Sequence, residues 1–277
     1  MRVAARRLRS LLATGRPLFD DGAAEPLRDE LRWLSGLLGA ARDPGVVHGR
    51  LAALLALEPD ALRFGPASAR IDEELDALTA AGFQAALEAL GSERYDLLLA
   101  ALEQFLAEAP LSSKAAGAPG TRIGKLVARD ERRLRRAVAA LAPRSEIGSE
   151  IGDARDAGLH EVRKAAKRLR YSAELAASLP EEPGGGRRAG KKSGKKAAKN
   201  RRRRARRSAK SARKIQQLLG LHQDSVVARQ RLAELGGGAL RSGENGFSYG
   251  RLHAKEEEQA AAAERAFLKL WQKFPSS

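Results

Sequence analysis

Arginine and lysine set at helical spacing are the residues of this chain best placed to do chemistry. On a helix turning about 100° per residue, His160, Arg163, Lys164, Lys167 and Tyr171 fall within about 60° of one direction. Arg168 and Arg170 flank that face, while Val162, Ala166, Leu169 and Ala173 lie opposite at i, i+4, i+7 and i+11, the spacing of a core stripe. The first residues repeat the design, with Arg2, Arg6 and Arg9 set against Met1, Ala5, Leu8 and Leu12. So does the stretch 122–141, where Lys125, Arg129, Arg132 and Arg136 oppose Val127, Leu134, Val138 and Leu141. Arg28 and Arg32 make a further one-sided basic set, as do Lys210, Arg213 and Lys214.

Such stripes are costly alone. Opposite charges four residues apart stabilise a helix by about 0.2–0.5 kcal/mol, and like charges cost a similar amount. A protein keeps three turns of like charge most readily where a polyanion neutralises them. Guanidinium forks and ammonium groups repeating along a helix suit a row of phosphates, each able to accept a charge-assisted hydrogen bond. Other chemistries find little support. The chain has no cysteine, and its four histidines (His48, His160, His222, His253) show no HxxH or HExxH spacing. There is no Walker loop, dinucleotide fingerprint or nucleophile elbow. A binding protein is expected and not an enzyme, with no metal and no cofactor.

The elements that carry these stripes are helical by composition. Leucine occurs 40 times against 13 valine plus isoleucine, alanine is abundant and aromatics number 12, which leaves a β-sheet little to build with. An all-α fold is expected. The chain also aligns with itself. Residues 1–15 match 162–176 at an offset of 161, and residues 34–54 match 215–235 at an offset of 181, pairing Gly39 with Gly220, Asp43 with Asp224 and Arg50 with Arg231. Two duplicated helical repeats follow, 1–110 and 121–277, joined by the Pro/Gly/Ser-rich segment 110–120. The 20-residue difference in offset falls on PGGGRRAGKKSGKK (183–196), which reads as a flexible basic insertion in the second repeat. About 40 residues precede the match in the second copy and none in the first. The first bundle is therefore expected to lack its N-terminal helix in this chain, with further residues before Met1 in the native protein.

The formal net charge is +17, but residues 1–120 sum to −4 and 121–277 to +21. Sixteen Lys or Arg and no acid lie within 183–214 alone. That block offers an alternative function, attachment of 187–214 to the phosphate backbone of DNA or RNA without base reading. Aromatic stacking platforms are missing from the basic faces, Tyr171 excepted. No apolar run is long enough for a membrane span, 187–213 offers only alanine to a bilayer surface, and no secretion signal is present, so a cytoplasmic protein without membrane contact is expected.

At LHEVRKAAKRLRYSAEL (159–175) and LLGLHQDSVVARQRL (218–232), with first-copy counterparts at 2–12 and 31–47, the sequence resembles the CHAD family of conserved-histidine α-helical domains. The stretch 250–271 fits as well. The resemblance implies two four-helix bundles related by a pseudo-twofold axis, binding inorganic polyphosphate without turnover in a basic groove between them, with association to polyphosphate granules. Such domains are often joined to triphosphate tunnel metalloenzymes. No E-x-E-x-K motif occurs here, so that partner is expected on another chain. The first-copy histidine would fall before Met1, and Val3 and Ser10 replace Lys164 and Tyr171 in the first copy. The two halves need not contribute equally.

Overall fold

The computed structural model describes residues 1–141, 150–179 and 190–274, with side chains except at 150–153 and 190–195. Within them lie nine α-helices: α1 (Arg2–Gly15), α2 (Glu25–Ala40), α3 (Asp43–Ala56), α4 (Ala67–Leu90), α5 (Glu93–Ala107), α6 (Pro119–Ala139), α7 (Glu150–Ser178), α8 (Gly190–Arg241) and α9 (Phe247–Gln272). The fold is all-α. Among the described residues the β-structure amounts to one isolated bridge, Phe19 to Leu111, and no helix is long and apolar enough to cross a membrane. Prolines stand in the first turns of α2, α3 and α6, where a missing N–H costs nothing.

The duplication is visible in three dimensions. An offset of 161 lays α1 on α7, and an offset of 181 lays α2 and α3 on the single helix α8 and α4 on α9. Pro44 stands where α8 has Ser225, and there the first repeat breaks into two helices while the second runs on for 52 residues. Gly82, whose counterpart is Ala263, lets α4 cross α2; a Cβ there would collide with the Ala40 carbonyl.

Three apolar clusters fill the structure. One gathers Leu134, Leu159, Val162, Leu169, Ile215 and Phe267 from α6 to α9. Another joins Ala5, Leu12, Leu27, Leu31, Leu34 and Leu98 from α1, α2 and α5. The third is shared between the repeats, with Leu51, Ile71 and Leu75 packed on Ala228, Leu232, Tyr249 and Leu252. Ion pairs cross the same junction reciprocally. Arg70 reaches Glu244 and its equivalent Arg251 reaches Glu58; Arg50 reaches Glu256 and its equivalent Arg231 reaches Glu74. Each repeat thus supplies the arginine in one pair and the carboxylate in the next, which is what a pseudo-twofold relation demands.

Two expectations from the sequence change here. Val162, Ala166, Leu169 and Ala173 are all fully buried, but of the four corresponding positions in α1 only Ala5 and Leu12 are buried, leaving Met1 64% and Leu8 41% exposed. The reason is that α6 covers the corresponding face of α7 and no described helix covers that face of α1. Part of the insertion expected to be flexible is helical: α8 starts at Gly190, so 190–196 is helix, its four lysines being good helix formers. Residues 183–189 lie outside the described residues. The connection at 110–120 is tied back to the end of α1, with Asp20 N–H donating to Pro110 O at 2.9 Å and Ser112 N–H to Leu18 O at 3.0 Å.

Candidate anion site

The Lys167 ammonium is where the two repeats meet electrically. Its pKa is pulled down to about 8, first by burial and then by Arg6, Arg9, Arg163 and Arg2. Three of those four arginines come from α1 and one from α7. The same crowding lowers Arg6, by burial and then Arg2, with Asp43 opposing and Arg163 and Arg9 adding to it. Burial also lowers Arg9, helped by Arg32 and Arg28 of α2. Arg168 is lowered by burial and by Arg133, Arg28 and Arg129, against Asp130. Cations from α1, α2, α6 and α7 therefore share one field. Their helices present them there because Ala5, Leu12, Val162, Ala166, Leu169 and Ala173 face the cores.

Two aspartates at equivalent positions border the cluster. Asp43 accepts from Arg2 Nη1 at 2.5 Å. Burial raises the Asp224 carboxyl, against the pull of Arg163 and Arg50 and with a further push from Asp43. The Arg6 and Arg163 guanidinium groups lie beside Gly39 and Gly220, within 3.9 Å and 3.8 Å of where a Cβ would stand. Beside Asp43, Gly39 and Pro44 line a cavity of about 240 Å³ together with Val227 and Arg231 of α8.

The structure thus brings together Arg2, Arg6, Arg9, Arg28, Arg32, Arg163 and Lys167, with Arg129 at the edge donating to Thr14 O at 2.6 Å. Arg28 also pairs with Glu25, and Arg32 with Asp29 at 2.7 Å. Arg170 pairs with Glu174 at 2.8 Å and donates to Gln216 at 3.2 Å. Exposed Lys164 pairs with Glu161 at 2.7 Å. His160 Nδ1 lies 2.6 Å from Gln223 Oε1, which places the ring proton on Nδ1. Tyr171 departs from the exposed position its spacing suggested: it is 6% exposed, with Arg170 against its ring at 5.4 Å. Lys125, Arg132 and Arg136 on α6, and Lys210, Arg213 and Lys214 on α8, are not among the groups that shift Lys167, Arg6, Arg9 or Arg168.

Sequence reasoning passed over Arg133, Asp43 and Asp224. The two aspartates stood in the self-alignment as an identical pair, so a signal for them existed. Arg133 had none, because it sits off the regular stripe of α6. Among the described residues no group of three His, Asp or Glu side chains could hold a metal ion.

Chemically, the cluster is a set of guanidinium and ammonium donors from several helices, short of counter-charge in its middle. It can hold an extended anion by hydrogen bonds and Coulomb attraction.

Comparison with known proteins agrees with this architecture. The chain is 34% identical over 263 residues to two proteins of Mycobacterium tuberculosis, Uncharacterized protein MT2285 of strain CDC 1551 and Uncharacterized protein Rv2226 of strain H37Rv. The match covers 94% of this chain and 44% of each relative, so the chain spans less than half the length of these relatives. Among solved structures, PptA from Streptomyces chartreusis superposes with a TM-score of 0.75 at 24% identity, covering 98% of this chain and 87% of that one. The CHAD domain from the plant Ricinus communis gives 0.66 at 26% identity, covering 99% and 81%. The CHAD domain family itself matches residues 1–192. With that match and these relatives, the chain belongs to the CHAD domain family.

Proposed function

We propose that this chain binds inorganic polyphosphate, without turning it over, in a basic groove formed where α1 and α7 face each other. The observation that carries this reading is the field around Lys167, in which arginines of both repeats depress one ammonium group. A linear polyphosphate carries about one charge per phosphoryl unit and offers every cation a hydrogen-bond acceptor, and each charge-assisted bond contributes about 1.5–3 kcal/mol. Membership of a family linked to polyphosphate supports the same ligand. A triphosphate tunnel metalloenzyme on another chain is a fitting partner.

The second reading is nonspecific attachment to nucleic acid through the start of α8. Arg201, Arg203, Arg204, Arg206 and Arg207 are exposed along one continuous helix, which favours contact with a phosphate backbone. Arg202 also has a structural task, donating to the Ala177 carbonyl at the end of α7 at 2.8 Å.

Competition separates the two. Labelled polyphosphate is titrated against the chain in the presence of equal phosphate equivalents of polyphosphate or duplex DNA. Polyphosphate is expected to compete far better, and an Arg6→Glu, Arg163→Glu, Lys167→Glu variant with unchanged circular dichroism is expected to lose binding. Stronger competition by DNA, or full binding by the variant, overturns the reading.

A further inference from the structure

The cation cluster has two ends, and the repeats finish them differently. At the α2 end the basic residues carry their own acids: Glu25 pairs with Arg28 and, at 3.2 Å, with Arg16, while Asp29 pairs with Arg32 at 2.7 Å. The offset of 181 that lays α2 on α8 puts Arg206 where Glu25 stands, Lys210 where Asp29 stands and Arg213 where Arg32 stands. Two carboxylates are replaced by two cations. Arg206, Lys210 and Arg213 are all exposed, and among the described residues none has a carboxylate partner.

These residues lie on a path that leads out of the cluster. Helix α8 carries Arg202, Arg206, Ala209, Arg213, Gln216 and Gly220 at alternating steps of four and three, which is one face of a helix. Three of these positions are fixed against α7: Arg202 donates to Ala177 O at 2.8 Å, Gln216 accepts from Arg170 Nη1 at 3.2 Å, and Gly220 lies beside Arg163. Arg206 and Arg213 are therefore held along the same edge of α7 that presents Arg163 and Arg170, with Lys210 flanking them. Arg163 belongs to the cluster. Arg213 stands to Arg170 as Arg32 stands to Arg9, and the Arg9 guanidinium already feels Arg32 in the first repeat. One acid borders the path, Glu174, and it is taken by Arg170 at 2.8 Å and Arg7 at 3.7 Å.

We propose that a polyphosphate chain longer than the cluster leaves it along the α7–α8 edge, over Arg213, Lys210 and Arg206, and not over α2. The inference rests on the polyphosphate reading and adds a direction and an outer subsite to it. A chain leaving over α2 meets Glu25 and Asp29, whose repulsion offsets the pull of Arg28 and Arg32. Over α8 it meets three like charges that repel one another until a polyanion lies on them. Long chains then gain over short ones by engaging two patches with one ligand.

The test gives α8 the residues of its twin. In the full chain, Arg206→Glu with Lys210→Asp is compared with wild type by titration with tripolyphosphate, too short to span both patches, and with long-chain polyphosphate. Along α8, Arg206 and Lys210 stand about 21 and 15 Å from Gly220, well beyond the screening length of about 8 Å at about 0.15 M salt. Charge reversal there does not reach a ligand confined to the cluster. Long-chain affinity is expected to fall at least about tenfold and tripolyphosphate affinity to stay within about twofold, with circular dichroism unchanged because both positions are exposed. Long-chain affinity unmoved by the swap, or an equal loss for both ligands, overturns the inference and leaves the polyphosphate reading in place. So does a swap that weakens binding of duplex DNA and not of long-chain polyphosphate, which would give this edge to nucleic acid. A wild-type chain that binds neither polyphosphate overturns the reading and the inference together.

Discussion

The two repeats share one sequence pattern and are held together differently. In the second, α8 runs unbroken from Gly190 to Arg241, and α7 is packed on one side by α6. In the first, Pro44 divides the same path into α2 and α3, and α1 has one face uncovered. The break brings Asp43 to the first turn of α3, where it takes Arg2, while its twin Asp224 sits mid-helix with its carboxyl raised by burial. Duplication preserved Arg2, Arg50, Arg70 and Asp43 as Arg163, Arg231, Arg251 and Asp224, while the glutamates these arginines reach and the scaffolding diverged. Placement of charge at the junction is therefore the common property, and stability is expected to be distributed unequally between the halves.

That inequality can be broken apart by mutation. The largest effect is expected at the reciprocal ion pairs. Arg50→Ala strands the fully buried Glu256 carboxylate, which Arg50 grips through two nitrogens at 2.6 and 2.5 Å, and should cost about 3–5 kcal/mol in urea denaturation. Its twin Arg231→Ala releases only the exposed Glu74 and Glu234 and should cost under about 1 kcal/mol. Equal losses would mean the two halves of the junction carry equal load. Next come the twin leucines. Leu169→Ala opens a cavity in a sealed core and should cost about 2–5 kcal/mol, whereas Leu8→Ala at the exposed seam should cost under about 1 kcal/mol.

The smallest effect sharpens the electrostatic side of the comparison. With its pKa drawn down to about 8, Lys167 is losing its proton in the free protein just above neutral pH. A bound polyanion favours the charged form, so binding takes up a proton above pH 8, and affinity should be greatest below pH 8 and fall as pH rises through it. A Lys167→Arg variant should flatten that profile between about pH 7 and 9, because guanidinium stays protonated. An unchanged profile in the variant would assign the titration to another group.

Much of this was legible in the letters. Leucine and alanine content and the scarcity of strand material pointed to the fold class, the self-alignment revealed the two repeats, and helical spacing gathered Arg2, Arg6 and Arg9 onto one face and Arg163 and Lys167 onto another. Periodicity speaks only about one helix at a time, and that is where it stopped. It put Met1 and Leu8 in a core because their own helix demands a stripe, whereas only the self-alignment pointed to an uncovered face there. It placed Tyr171 on the cation face, whereas tertiary packing buries its ring beside Arg170. It gave Lys125, Arg132, Arg136, Lys210, Arg213 and Lys214 the same standing as the junction residues, because which stripes face each other depends on helix crossing and not on spacing. Gly/Lys-rich composition at 183–196 suggested a loop, yet lysine is a good helix former and α8 claims the segment from Gly190.

The central claim is that cations of both repeats form one site. Labelled polyphosphate titrated against the wild-type chain, Arg6→Glu and Arg163→Glu, with affinity and stoichiometry read from the same isotherm, tests it most directly. Each single reversal is expected to weaken all binding by about 100-fold or more, since each puts a repulsive charge into a shared field. Half the sites surviving at wild-type affinity in either variant would show two separate sites, one per repeat, and would contradict the account.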